Sequence, residues 1–88
     1  MDAETAWRLS PRVSVRPEPF GALLYHFGTR KLSFLKDRTL LAIVENLDQS
    51  PTLSAACDAA GVAPGDRARY LAALGTLAES AMIEERAA

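Results

Sequence analysis

Few side chains in this sequence are placed to do chemistry. One histidine, His26, lies in the apolar stretch ALLYHF, and one cysteine, Cys57, in the small-residue stretch AACDAA. A general base or a nucleophile needs a partner that orients or activates it, and neither residue has one at a workable spacing. His26 reads as a half-buried structural histidine. Cys57 reads as a buried thiol, the usual fate of free cysteine. A lone Cys cannot form an intramolecular disulfide, and with one His no Cys/His zinc set can be assembled. Asp37, Asp48 and Asp58 have capping and solvation roles open to them, and no two suggest acid–base work. A Gly-rich phosphate loop, GxSxG and HExxH are all missing. The residues predict a protein that is not an enzyme and holds no metal or cofactor of its own.

The 88 residues suit one domain, 1–88, with residues 1–6 expected as a flexible tail and 84–88 as a frayed end. Apolar residues make up 49% and charged residues 24%, the balance of a globular chain and not of a disordered one. No apolar run approaches the ~18 residues of a membrane span, and the start MDAETAWRLS lacks an apolar signal core. The cytoplasm is the expected compartment, with no membrane partner. A net charge of −1 disfavours non-specific binding to DNA. The charge is uneven: residues 1–38 carry seven Arg/Lys against four Asp/Glu (+3), and residues 39–88 carry three against seven (−4).

The elements follow from the spacing of apolar residues. Trp7 to Leu9 reads as a short edge segment ended by Pro11. RVSVRP alternates Val13 and Val15 with polar residues, the period of a half-buried strand. Pro17, Pro19 and Gly21 are expected to break it. ALLYHF suits a central strand. Gly28-Thr29 is expected to close a hairpin, with Gly28 supplying the unusual φ. KLSFL, Lys31 to Leu35, completes a three-stranded antiparallel meander. Asp37 is a natural N-cap for RTLLAIVENL, whose Leu40, Leu41, Val44 and Leu47 recur at helical spacing. Thr52 or Ser54 caps a short second helix, and Gly61 sits where a left-handed C-cap belongs. A last helix is expected over roughly 66–83, with Leu71, Leu74, Ala78 and Met82 as its buried stripe. The fold class is α+β: a three-stranded antiparallel β-meander followed by three α-helices, winged helix-turn-helix-like.

That architecture admits two classes of binding. A recognition helix presents several basic or amide side chains to DNA. The last helix offers only Arg67 and Arg69 at its start and acidic residues towards its end, so a DNA-binding regulator is the second-ranked reading. The outer strands of the meander leave rows of main-chain groups open. Arg30 and Lys31 can serve as gatekeepers of that edge. Alternatively an extended peptide adds a strand there, with main-chain hydrogen bonds carrying affinity. Tyr70, Ala73 and Leu77 are spaced to line a pocket beside the core stripe. Arg67 and Arg69 could then pair with acidic groups on the peptide. An open edge also predicts self-association.

RVSVRPEPFGALLYHFGTRKLSFLKDRTLLAIVENL, followed by YLAALGTLAESAMI, closely resembles the mycofactocin biosynthesis chaperones. These are peptide-recognition elements related to the pyrroloquinoline quinone biosynthesis chaperones. The resemblance runs from Trp7 to Ile83, and VRPEPFGALLYHFGTRKLSFL is its most specific part. It implies a small domain that binds the leader of a ribosomally made precursor peptide and delivers it to a radical S-adenosylmethionine maturase. Iron–sulfur clusters and the methionine-derived cofactor would belong to that partner enzyme. Carried over by position, the leader pairs with Arg30, Lys31, Leu32, Ser33, Phe34 and Leu35. It lies against Arg67, Tyr70, Ala73, Leu74 and Leu77 of the last helix. Arg12 and Arg16 would contact the maturase or solvate the outer face of the sheet. A third reading is a structural subunit that only stabilises the maturase.

Overall fold

The computed structural model describes residues 1–86. The fold is α+β. Strands β2 (Val13–Glu18), β3 (Gly21–His26) and β4 (Leu32–Leu35) form a three-stranded antiparallel sheet in the order β2-β3-β4. Helices α1 (Arg38–Asn46), α2 (Leu53–Ala59) and α3 (Arg67–Glu79) follow, with short 3-10 turns at Leu47–Gln49 and Pro64–Asp66. A second sheet pairs β1 (Trp7–Leu9) with β5 (Ile83–Glu85).

The alternation read in RVSVRP, carried across the β2–β3 register, decides which sheet face meets the helices. Val13, Ala22, Leu24, His26 and Leu35 are buried. Val13, Ala22, Leu24 and Leu35 pack with Leu40, Ile43 and Val44 of α1, Leu53, Ala56 and Cys57 of α2, and Tyr70, Leu74 and Leu77 of α3. A fully buried leucine or isoleucine contributes about 1.5–3 kcal/mol relative to the same side chain left in water. Leu24, Ile43, Leu53 and Leu74, all 0% exposed, therefore dominate the sequence's preference for this packing.

Local signals explain most of the boundaries. The Asp37 carboxylate accepts from the Thr39 amide at 2.7 Å and the Leu40 amide at 3.3 Å, which starts α1. Thr52, not Ser54, caps α2 by accepting from the Ala55 amide. Gly61 ends that helix at φ +78°, its amide bonded to the Asp58 carbonyl. Gly21, at φ +153°, has no substitute: a Cβ there would stand 2.0 Å from the Leu35 carbonyl oxygen.

Several expectations are corrected. Pro17 does not break its strand, which runs on to Glu18. The bond from the Phe27 amide to the Arg12 carbonyl fixes the phase of the β2–β3 ladder, in which the facing residues change every second position. Pro17 thereby points its nitrogen at the outer edge, where no N–H is needed. The β3–β4 connection is the longer segment 27–31, and its left-handed residue is Arg30 at φ +61°, not Gly28. His26 supplies the turn's support: its Nδ1 accepts from the Gly28 and Thr29 amides, each at 3.0 Å.

The last helix stops at Glu79, short of the expected 83. Ala81 takes φ +61°, and the Met82 amide turns back to the Leu77 carbonyl at 2.9 Å. That left-handed exit sends Ile83–Glu85 into β5, so the fraying expected from residue 84 gives way to pairing as far as Glu85. Ala87 and Ala88, the rest of that expectation, lie outside the described residues. The expected tail at 1–6 is also engaged. The carbonyls of Ala3, Thr5 and Ala6 accept from Ser54, Leu53 and Arg86 amides. Arg8 and Glu84 pair across the two strands at 2.6 Å.

Candidate functional site

The edge of β4 borders a groove of about 410 Å3. Ser33, Phe34 and Leu35 of β4 form one wall, Ala73, Thr76 and Leu77 of α3 the other, and Leu40 of α1 lies between them. Apolar side chains dominate this lining, so the groove suits apolar groups of an extended ligand.

The ladder dictates which main-chain groups a ligand would meet. His26 donates its amide to the Lys31 carbonyl at 3.0 Å, and the register pairs Leu24 with Ser33 and Ala22 with Leu35. Because facing residues of an antiparallel pair alternate, Ser33 and Leu35 direct their N–H and C=O groups at β3. Leu32 and Phe34 direct theirs at the open edge. That is a β4 segment with two residues offering donors and acceptors beside an apolar groove.

A polar cluster joins the groove's two walls at one end. The Tyr70 hydroxyl of α3 donates to Asp37, the N-cap of α1 two residues beyond β4, at 2.5 Å. The Arg69 guanidinium lies 4.5 Å from the centre of the Tyr70 ring and 3.7 Å from the Asp37 carboxylate. The Tyr70 hydrogen bond is the main cause holding the Asp37 carboxyl below its ordinary pKa. The Thr39 and Leu40 amides and Arg69 add to it, against the opposing pull of desolvation.

The expected site residues separate into two sets. Ser33, Phe34, Leu35, Ala73 and Leu77 come together around the groove. Arg30, Lys31 and Leu32 are exposed beside or on β4 without lining it. Leu74 is 0% exposed and belongs to the core. Tyr70, also buried, acts through its hydroxyl on Asp37 and does not form a pocket wall. Arg67 is occupied by α2: it donates to Ser54 Oγ at 2.7 Å and pairs with Asp58.

Two lining residues were missed. Thr76 stands one helical step beyond Ala73 on the same face, a spacing that could have found it. Leu40 reads from sequence as core, and it is both core and groove floor.

Neither reactive side chain lies at the groove. Cys57 is fully buried in α2, and burial pushes its thiol pKa up, away from nucleophilic character. Among the described residues, no group of three or more His, Cys, Asp or Glu side chains is arranged to hold a metal ion. Among the same residues, no helix is long and apolar enough to cross a membrane.

Comparison with known proteins bears on the same elements. The sequence profile of the Peptide chaperone MftB family matches residues 6–84, from the start of β1 into β5. The chain belongs to the MftB peptide chaperone family. It is 59% identical over 85 residues to the peptide chaperone MftB of Mycobacterium tuberculosis, covering 97% of this chain and 78% of that one. Identity to the Mycobacterium ulcerans MftB is 60% over 82 residues, 93% of this chain and 75% of the relative. The Mycolicibacterium smegmatis MftB is 57% identical over 82 residues, 93% of this chain and 80% of the relative. No solved structure matches the chain. All the groove-lining residues of this MftB family member fall within the matched segment.

Proposed function

We propose that this protein is a non-catalytic peptide chaperone of mycofactocin biosynthesis that acts in the cytoplasm. It binds the leader of a ribosomally synthesised precursor by strand addition at β4 and presents it to a radical S-adenosylmethionine maturase. The observation that carries this reading is the open β4 edge beside the apolar groove. The family's name supports the peptide; the edge supplies the mode. An added strand would exchange hydrogen bonds with Leu32 and Phe34, and its alternate side chains would enter the groove toward Ala73 and Leu77. Specificity then comes from the size and spacing of those apolar side chains, affinity largely from the main chain.

The alternative of a DNA-binding regulator requires free basic groups on α3. Arg67 is held by Ser54 and Asp58, and Arg69 packs over Tyr70, so neither side chain stands alone on the helix surface.

The test is calorimetric titration of the protein with a synthetic peptide spanning the precursor's leader, in the absence of the maturase. One-to-one binding supports recognition by this chain itself. A folded protein that binds no leader but still associates with the maturase would replace this reading with that of a structural subunit.

A further inference from the structure

The sheet has a second exposed surface, which shares only Phe34 with the groove. Residues facing away from the helices are Ser14 and Arg16 on β2, Leu23 and Tyr25 on β3, and Leu32 and Phe34 on β4. Leu23 stands directly opposite Phe34, and Tyr25 opposite Leu32. Phe27 extends the row, its ring 5.3 Å from that of Tyr25. Phe27, Leu32 and Phe34 are 60%, 55% and 59% exposed. A solvated sheet face normally alternates with polar residues; here adjacent large apolar side chains form one patch, of the kind that marks an interaction site.

The charge around the patch indicates what covers it. Residues 12–36 carry five exposed cations, Arg12, Arg16, Arg30, Lys31 and Lys36, and one carboxylate, Glu18, giving 5 − 1 = +4. Glu18 is already paired with Arg16 at 2.6 Å. A second copy of the chain would set like charges against one another, which disfavours self-pairing. The aromatic geometry disfavours nucleic acid: the Tyr25 and Phe27 rings cross at 76°, and their neighbours are leucines, so no parallel platform for base stacking exists.

We infer that the outer face of the β2–β4 sheet docks a folded protein whose surface carries an apolar patch bordered by carboxylates. The inference rests on the proposed presentation role, for which the maturase is the protein to be docked. The groove opens toward α3 and this face away from it, with Phe34 alone common to both, so peptide and enzyme can be held together. A peptide added at the β4 edge would also extend the outer face beside Leu32 and Phe34, and the docked protein would then bind the loaded chaperone more tightly than the empty one.

The experiment measures binding of the purified maturase, and separately of the leader peptide, to the wild-type chaperone and to Phe27→Ser and Arg16→Glu. Both substitutions are on exposed side chains away from the groove, so folding and peptide binding serve as internal controls. Maturase affinity is expected to fall at least about tenfold in each variant, with leader affinity unchanged. Equal maturase binding by variants and wild type overturns the inference and leaves the presentation role standing. A wild-type chaperone that binds the leader but never the maturase overturns both. Dimers dissolved by Phe27→Ser, or binding to anionic lipid vesicles or single-stranded RNA lost in these variants, would give the face a different occupant and also overturn it.

Discussion

The Tyr70 hydroxyl is bonded to the Asp37 carboxylate at 2.5 Å, and this contact ties α3 to the end of β4. These two elements are the walls of the groove, so the bond adds a polar tie to the core packing that sets their spacing. The length is that of a charge-assisted hydrogen bond. Tyr70→Phe keeps the buried ring and removes only the tie. It is expected to cost roughly 1–2 kcal/mol in urea unfolding, because Asp37 retains its amide partners and some access to water. Leader affinity should fall with it. Tyr70→Ala is a different perturbation, since it empties a core position and should cost about 3–5 kcal/mol.

The same bond predicts an acid dependence. The folded state holds the Asp37 pKa below its ordinary value of 3.8. A depressed carboxyl pKa stabilises the fold fully above the unfolded-state value, and that contribution is lost as pH falls through the folded-state value. Urea midpoints followed from about pH 5 to about pH 2 should therefore drop more steeply for the wild type than for Asp37→Asn. Asparagine retains a capping oxygen but cannot titrate, so the two proteins converge in acid. Parallel curves would mean that Asp37 carries no linkage.

Ala81 holds a left-handed conformation at φ +61°, on the exposed turn between α3 and β5. A Cβ in that region costs about 1–2 kcal/mol, and glycine is free of the penalty. Ala81→Gly is expected to stabilise the protein by roughly 0.5–1 kcal/mol, since glycine's extra unfolded-state entropy takes back part of the gain. Thermal unfolding gives the answer directly. A lower melting temperature would place the helix exit in another conformation.

The elements legible in the sequence were those with a local cause. Asp37, Thr52 and Gly61 act within three residues of where they sit, and each marks the helix end read from it. The period of two in Val13 and Val15 likewise assigned the inward face of β2. What escaped depended on distant partners. Residues Ile83–Glu85 form a strand only because Trp7–Leu9 lies alongside, and no pattern in a three-residue segment announces that. Ala81 gives no helix-stop signal, so the apolar spacing of Met82 and Ile83 reads as more helix. At the groove, β4 is legible as the strand that completes the meander. The flank of α3 is not, because Tyr70 has the spacing of a wall residue and the contacts of a buried strut.

The phase of the β3–β4 ladder makes a sharper test of strand addition than deletion of any side chain. Ser33 bonds towards β3, so Ser33→Pro should break the sheet itself and unfold the protein whether or not a peptide uses the edge. Leu32 is the first residue of β4, and its N–H points at the open edge, where proline is tolerated. Leu32→Pro should therefore stay folded and lose one donor to the added strand, with leader affinity reduced roughly tenfold, the worth of a main-chain hydrogen bond. Leu32→Ala removes the outward side chain and keeps the donor, so it should bind the leader nearly as the wild type does. If the proline variant is folded by circular dichroism and binds like the alanine variant, the peptide does not pair with β4 at Leu32. If both variants lose affinity equally, the contact is made by the leucine side chain and not by the backbone. Only a loss confined to proline places the leader in the ladder, with its main chain beside Leu32 and Phe34.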